Sequence, residues 1–431
     1  MSRLILCLAL FASTSVRAEC TALTGAGAKV FVPGTPSRVD LVIEDGKFVA
    51  VGSKVEGLTV TSKGKTATYE GRPCSHIDIS GKTVTPGLIE VRGSMGLVEV
   101  GMEGGSHDLN SGDPDPVRAA FAVADAYNPN NTLIPIARVA GVTSSLVSGS
   151  GGRIAGQIAF VDHAGRTQAD AVVERYVAMA GSAGGASSAQ GLEELREIFD
   201  DARFWASNRA SWEQRRSRDL RASGRDLEAL QPVVNGEVPL VVALDRASQI
   251  EAFGRFVREQ KIKAVITGGA EAWLHADALA EAGVAVVIDP YVYSSGTWSQ
   301  IHARPDTAAL LADAGVQVIV SGGWTHNMRL LTQAAGNAVR GGLDHDTAVR
   351  SITETPAKVF GLQGYGSLAV GDVANLVVWG ADPLEIGTSV EHVVIRGVDV
   401  ELTSRQTQLR DRYRTLPGTP AGALSLPTSE P

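Results

Sequence analysis

The sequence predicts an α/β protein: a parallel sheet with crossover helices in the middle of the chain and β-rich pieces at both ends. Three observations carry this. In the middle, short apolar runs alternate with helical stretches, as in PLVVAL then SQIEAFGRFVREQ, AVITGG then EAWLHADALAEAG, and VQVIVSGG then MRLLTQAAGNAVRGG. That alternation is the pattern of strands joined by covering helices, in a sheet either open or closed into a barrel. Near the start, KVFVPGTPSRVDLVIEDGKFVAVG alternates apolar and polar residues around Pro-Gly and Asp-Gly turns, and GSLAVGDVANLVVWG and VEHVVIRGVDVELT repeat the pattern near the end. Such pieces are short antiparallel strands, and chain termini in compact folds commonly lie close together.

Taken in order, the chain opens with MSRLILCLALFASTSVRAEC: a cation at Arg3, an apolar run from Leu4 to Ala12 and small residues at Val16 and Ala18. This is the layout of a secretory signal peptide cleaved after Ala18, so residues 1–18 are expected to be removed and the protein exported, to a periplasmic or extracellular site. The run falls short of the roughly 18 to 20 apolar residues of a membrane span, and no later segment supplies one. The chain has 3 cysteines. Cys7 leaves with the signal, and Cys20 and Cys74 are expected to form one disulfide in an oxidising compartment.

Residues 19–85 form the first β-rich piece, with Glu44-Asp45-Gly46-Lys47 as a hairpin tip. The barrel candidate runs from Pro86 to Pro356, about 270 residues, close to the length of about 250 typical of a (β/α)8 barrel. No Gly-x-Gly-x-x-Gly opens the first unit, so a dinucleotide fold has little support. The sequence reads AVVERYVAMA as a helix. The charged stretch from Leu192 to Leu230 reads as a helical insertion whose acids and cations interleave, a solvated face rather than a binding patch. Ser148 to Gly152, SGSGG before Arg153, lacks the Lys-Ser/Thr of a phosphate loop and reads as a strand–helix connection. Residues 357–404 return as strands, and 405–431 carry a helix and a tail without apolar period, expected to be disordered. Overall, 44% hydrophobic and 20% charged residues with a net charge of −8 describe a globular protein without a nucleic-acid-binding surface.

Five segments together resemble the amidohydrolase superfamily, in particular its imidazolonepropionase-like branch of exported proteins. They are GKTVTPGLIEV, RVAGVTSSLVSGSGGRIAGQIAFVD, DLEALQPVVNGEVPLVV, GGAEAWLHADALAEAGVAVVIDP and AVRSITETPAKVFGLQGYGSLAVGDVANLVVW. Their order matches too, and the resemblance covers nearly the whole mature chain. It implies a (β/α)8 TIM barrel with a small β-sandwich built from both termini. It also implies a divalent metal, zinc or another, held at the C-terminal strand ends by two His after the first strand, a Lys or Glu after the fourth, a His each after the fifth and sixth, and an Asp after the eighth.

Carried over residue by residue, the assignable places are vacant. VTPGLIEVRGSMGL puts Arg92 and Ser94 where the first two His belong; Ala243 or Leu244, Gly268 and Gly323 stand at the other three. The 8 His of the chain show no His-x-His or His-x3-His spacing, and lone residues such as His275 and His326 lack the partners a zinc site needs. Arg92 stays protonated and opposes a nearby cation. The expected cofactor is therefore none. Ser94 lacks a Gly-x-Ser-x-Gly elbow and is a weak nucleophile candidate.

Polar residues do remain beyond the strand ends: Arg92, Ser94, Asp245, Arg246, Glu271, Asp289, Tyr291, Trp324 and His326. They form a candidate pocket, with an internally paired plug as the alternative; catalytic residues cannot be assigned. Three functions follow. The first is a metal-free, catalytically degenerate barrel that binds a small molecule or a partner at its mouth. The second is a hydrolase of C–N bonds in non-peptide or dipeptide amides. The third is a structural subunit paired with an intact homologue, in a homo- or hetero-oligomer.

Overall fold

The structure is a computed structural model that describes residues 20–25, 29–30, 39–61, 66–110, 112, 115–184, 187–291, 296–323 and 325–414. The expected signal segment, the expected disordered tail and Trp324 lie outside the described residues.

The middle of the chain forms an eight-stranded, mostly parallel sheet. Its strands, in chain order and in spatial order, are β1 (Leu88–Gly93), β2 (Val142–Val147), β3 (Ile154–Asp162), β4 (Val172–Gly181), β5 (Leu240–Leu244), β6 (Ala264–Gly268), β7 (Ala285–Ile288) and β8 (Val318–Val320). Both faces are buried, as a sheet covered by helices requires. Val265, Val287 and Ile319 share one apolar cluster with Val91, Leu146, Phe160 and Val177. Their strand neighbours Ile266, Val286 and Val320 belong to the cluster that holds the helix residues Phe253 and Phe256. The period of 2 thus sorts each strand between an inner and an outer core.

The sheet is a half-barrel, and its two edges are bridged locally. The Ile89 and Val320 amides donate to the Ile352 and Ser351 carbonyls at 2.9 and 3.2 Å. Further toward the strand ends, Glu90 of β1 accepts from Ser321 and Gly322, which follow β8, at 2.7 and 2.8 Å.

Two sequence expectations are corrected here. AVVERYVAMA is not a helix: apart from its first alanine, which closes the short helix Gln168–Ala171, it is strand β4. Its apolar run is buried on both sides, Val177, Ala178 and Ala180 inward and Met179 outward, and such a run carries no period that separates strand from helix. The SGSGG segment connects no strand to a helix. It turns β2 back on β3, which runs antiparallel to both neighbours, with Ser144 opposite Asp162 and Ile158 opposite Ala178. Gly151 and Gly152 take φ of 91° and 72°, a left-handed pair that glycine adopts without strain and that lets the chain reverse.

The terminal strands form two further sheets. One, from the N-terminal piece alone, contains Cys20–Thr24, Asp40–Glu44 and Arg72–Asp78 among its six strands. The expected hairpin tip is present, with Asp45 and Gly46 both at positive φ between paired Glu44 and Lys47. In the other, Leu376–Trp379 pairs antiparallel with Thr83–Pro86, Leu376 opposite Pro86, so both ends of the chain share one sheet. Leu41, Phe48 and Ile79 of the first sheet's region pack in one cluster with Leu376, Val378 and Val394 of the second. Cys20 and Cys74 are disulfide-bonded, as expected, and staple two neighbouring strands.

The charged insertion expected from Leu192 to Leu230 is helical in two pieces, within the long helix Ser188–Glu213 and the short helix Gly224–Ala229. Leu192, Leu195, Ile198, Phe199 and Trp205 are the buried stripe of the long helix, while Arg196 pairs with Glu193 and Glu259 and Arg209 with Glu213 and Glu228. The cations of this helix are engaged with acids of the same helix and with Glu228 and Glu259 of neighbouring helices. Among the described residues no helix is long and apolar enough to cross a membrane.

Candidate functional site

Every described candidate stands at or just past the C-terminal end of a strand, the face where parallel barrels place their chemistry. Arg92 is the fifth residue of β1 and Ser94 follows it; Asp245 and Arg246 follow β5; Glu271 follows β6; Asp289 and Tyr291 follow β7; His326 lies in the short helix Thr325–Leu330 after β8.

The structure brings together part of this set. The Arg92 guanidinium stands 3.9 Å from the Asp289 carboxylate, with side chains 30% and 24% exposed. This is the outer limit of an ion pair, too long for a hydrogen bond. The other Asp289 oxygen accepts the Tyr291 amide at 3.0 Å. Two hydroxyls nearby in sequence, Ser94 Oγ and Tyr291 Oη, are buried without a hydrogen-bond partner among the described residues. Burial, with the Asp289 charge second, pushes the Tyr291 hydroxyl above the usual tyrosine range, so it stays a neutral donor.

Asp245 and Glu271 serve the scaffold instead. Glu271, buried, accepts the amide of Ala247 at 2.8 Å. Ala247 begins the helix Ala247–Gln260, so the carboxylate satisfies one orphan donor at a helix N-terminus and complements its dipole. The second Glu271 oxygen accepts the His302 amide at 3.2 Å. Asp245 accepts from the Ala270 amide at 3.2 Å and from Gln300 Nε2 at 3.0 Å. The two acids therefore tie the 296–306 segment to the strand ends. Arg246 and His326 are exposed.

Glu90 was not among the candidates, although it stands two residues before Arg92. It is fully buried, it accepts Arg92's own amide at 2.9 Å, and burial raises its pKa. The available signal was a single charge inside the apolar run LIEV. Its partners Ser321 and Gly322 lie too far along the chain for spacing to reveal them.

The residues at the implied ligand places do not fit a divalent metal. Arg92 brings a permanent cation, which at about 4 Å opposes another by several kcal/mol even at a screened dielectric. Ala243 has no donor. Gly268 takes φ of +98°, and a side chain there would meet Asp245 Oδ1 with its Cβ at 2.5 Å. Gly323 takes φ of +96°. Histidine or aspartate at either place would be strained, so the backbone is set for glycine. Among the described residues no group of three or more His, Cys, Asp and Glu could hold an ion.

Residues 243–400 match the amidohydrolase family. The amidohydrolase tasK of Hapsidospora irregularis is 25% identical over 401 residues, covering 83% of this chain and 39% of its own length. The chain thus spans about two fifths of that relative. An amidohydrolase from Thermotoga maritima MSB8 superposes with a TM-score of 0.75 at 22% identity, over 88% of this chain and 99% of its own. The A. niger ochratoxinase gives 0.52 at 16% identity, over 89% and 95%. At these identities the solved structures show a shared fold.

Proposed function

We propose that the chain, whose residues 243–400 match the amidohydrolase family, is an exported, metal-free and catalytically degenerate member of it that binds an anionic small molecule at the barrel mouth. One observation carries the reading. The Arg92 guanidinium is partly open, its side chain forms no hydrogen bond among the described residues, and its ion pair with Asp289 is 3.9 Å long. A guanidinium offers five N–H donors in a fork suited to a carboxylate. In an internal plug those donors would be consumed. Here they are left over, together with the buried Ser94 and Tyr291 hydroxyls.

The reading includes a complete (β/α)8 barrel over 86–356, flanked by a β-sandwich from residues 19–85 and 357–404. The Cys20–Cys74 disulfide supports export, since such bonds persist in oxidising compartments.

The test is a thermal-shift screen with small carboxylates, beginning with N-acetylglycine. Arg92→Ala abolishes the ligand-induced shift and leaves the far-UV spectrum unchanged. Because the Asp289 pair is long and partly solvated, the variant loses only about 1 kcal/mol or less of stability. A variant that keeps its ligand response while its melting temperature drops sharply assigns Arg92 to an internal network and overturns the pocket.

The family match favours a second reading, hydrolysis of C–N bonds in non-peptide or dipeptide amides. It requires a way to activate water that the residues at the ligand places do not supply, and metal content separates the two readings.

A further inference from the structure

Glu90 presents a puzzle of cost. A fully buried carboxylate loses several kcal/mol of hydration that only close donors offset. Its donors are specific: Oε1 accepts the Arg92 amide at 2.9 Å and the Ser321 hydroxyl at 2.7 Å, and Oε2 accepts the Gly322 amide at 2.8 Å. Ser321 Oγ in turn accepts the Gly323 amide at 3.1 Å. Joining the β1 edge to the β8 edge does not demand a charge, for the carbonyls of Ser351 and Ile352 bridge the same two strands with neutral backbone. What the carboxylate adds is a grip on the peptide of Arg92 and, through the same two oxygens, on the turn that leaves β8.

From this geometry we infer that Glu90 is the positioning residue of the mouth. It fixes the main chain of Arg92 against the Ser321–Gly323 turn, so that the guanidinium stands beside Asp289 beyond hydrogen-bonding distance and keeps its donors for a ligand. The inference rests on the reading of Arg92 as the anion-binding group. It assigns a task to a residue that makes no contact with the ligand itself.

Calorimetric titration of the full mature protein with N-acetylglycine tests it. In Glu90→Gln one former acceptor becomes an NH2 group, so the Gly322 amide, or the Arg92 amide with the Ser321 hydroxyl, loses its acceptor. Affinity falls by about tenfold or more, the scale of a lost bond to a charged group. Ser321→Ala removes one partner and causes a smaller fall, which decides the matter if Glu90→Gln does not fold. Asn375→Ala, remote from the mouth, lowers the melting temperature and leaves affinity unchanged, separating positioning from stability. If Glu90→Gln and Ser321→Ala bind as the wild type does while Arg92→Ala does not bind, the inference is overturned and the pocket stands. If Arg92→Ala also binds normally, or the wild type binds no carboxylate, the pocket reading fails and the inference falls with it.

Discussion

Asp162→Ala lowers the unfolding free energy by about 3 to 5 kcal/mol, the range for breaking a buried charge network. Asp162 closes β3 and is fully buried. One oxygen accepts Ser144 Oγ at 2.8 Å and Asn375 Nδ2 at 3.1 Å. The other accepts the Tyr365 hydroxyl at 2.9 Å and the Arg396 guanidinium. Arg396 donates its amide to Asn375 Oδ1 at 2.8 Å, so the network ties the large sheet to the C-terminal strands. Alanine leaves these donors without their acceptor inside the protein. Urea denaturation measures the loss. Arg396→Ala costs a comparable amount, and the double variant costs little more than either single one, because the residues share one network. A loss under about 1 kcal/mol for Asp162→Ala would reject this account of how the pieces are joined.

Stability should also fall steeply between pH 6.5 and about 4, through His163. Its ring is fully buried; Nδ1 donates to the Val142 carbonyl at 3.0 Å, which leaves Nε2 to accept the Ser145 hydroxyl at 2.9 Å. Burial pushes its pKa from 6.5 down to about 4. The folded state thus holds neutral imidazole, and the unfolded chain takes up a proton first as pH falls. The contribution is fully present above pH 6.5 and is lost progressively toward pH 4, amounting to roughly 3 kcal/mol. Glu90, whose pKa is raised by burial, acts in the opposite sense, so the wild-type curve alone does not isolate His163. The comparison with His163→Asn does, since asparagine keeps a donor but does not titrate. Denaturation curves across this range should show a flatter pH dependence in the variant. Parallel slopes would mean that His163 is protonated in the fold or reached by solvent.

Much of the scaffold was legible because it follows local rules. The Val/Ile runs of β5 to β8 are bounded by turn residues and followed by helical periods, and Asp45-Gly46 can hardly be anything but a hairpin tip. Cys20 and Cys74 pair. What was not legible depends on distance or on both-sided burial. β4 reads as a helix because Val177 to Ala180 are apolar on every face. β3 runs backward because two left-handed glycines reverse the chain, a choice that SGSGG permits without dictating. The polar strand ends were visible as a set, yet their tasks were not. Asp245 and Glu271 brace the 296–306 segment, whereas Glu90, hidden in an apolar strand, grips the Arg92 peptide. Its partners follow β8, 231 and 232 residues later in the chain.

The central claim, that the mouth is built around Arg92 in place of a metal, is tested most directly by elemental analysis. The protein should be purified without a His tag and dialysed against trace Zn²⁺, Mn²⁺ and Fe²⁺. Catalysis by zinc needs a properly ligated ion with an open position for water, and the places implied for its ligands hold Arg92, Ser94, Ala243, Gly268 and Gly323. The account predicts far less than one metal per chain after dialysis and no metal-dependent turnover of dipeptides or cyclic amides. One bound metal per chain, with amide hydrolysis that disappears on chelation and returns when the ion is restored, would contradict it.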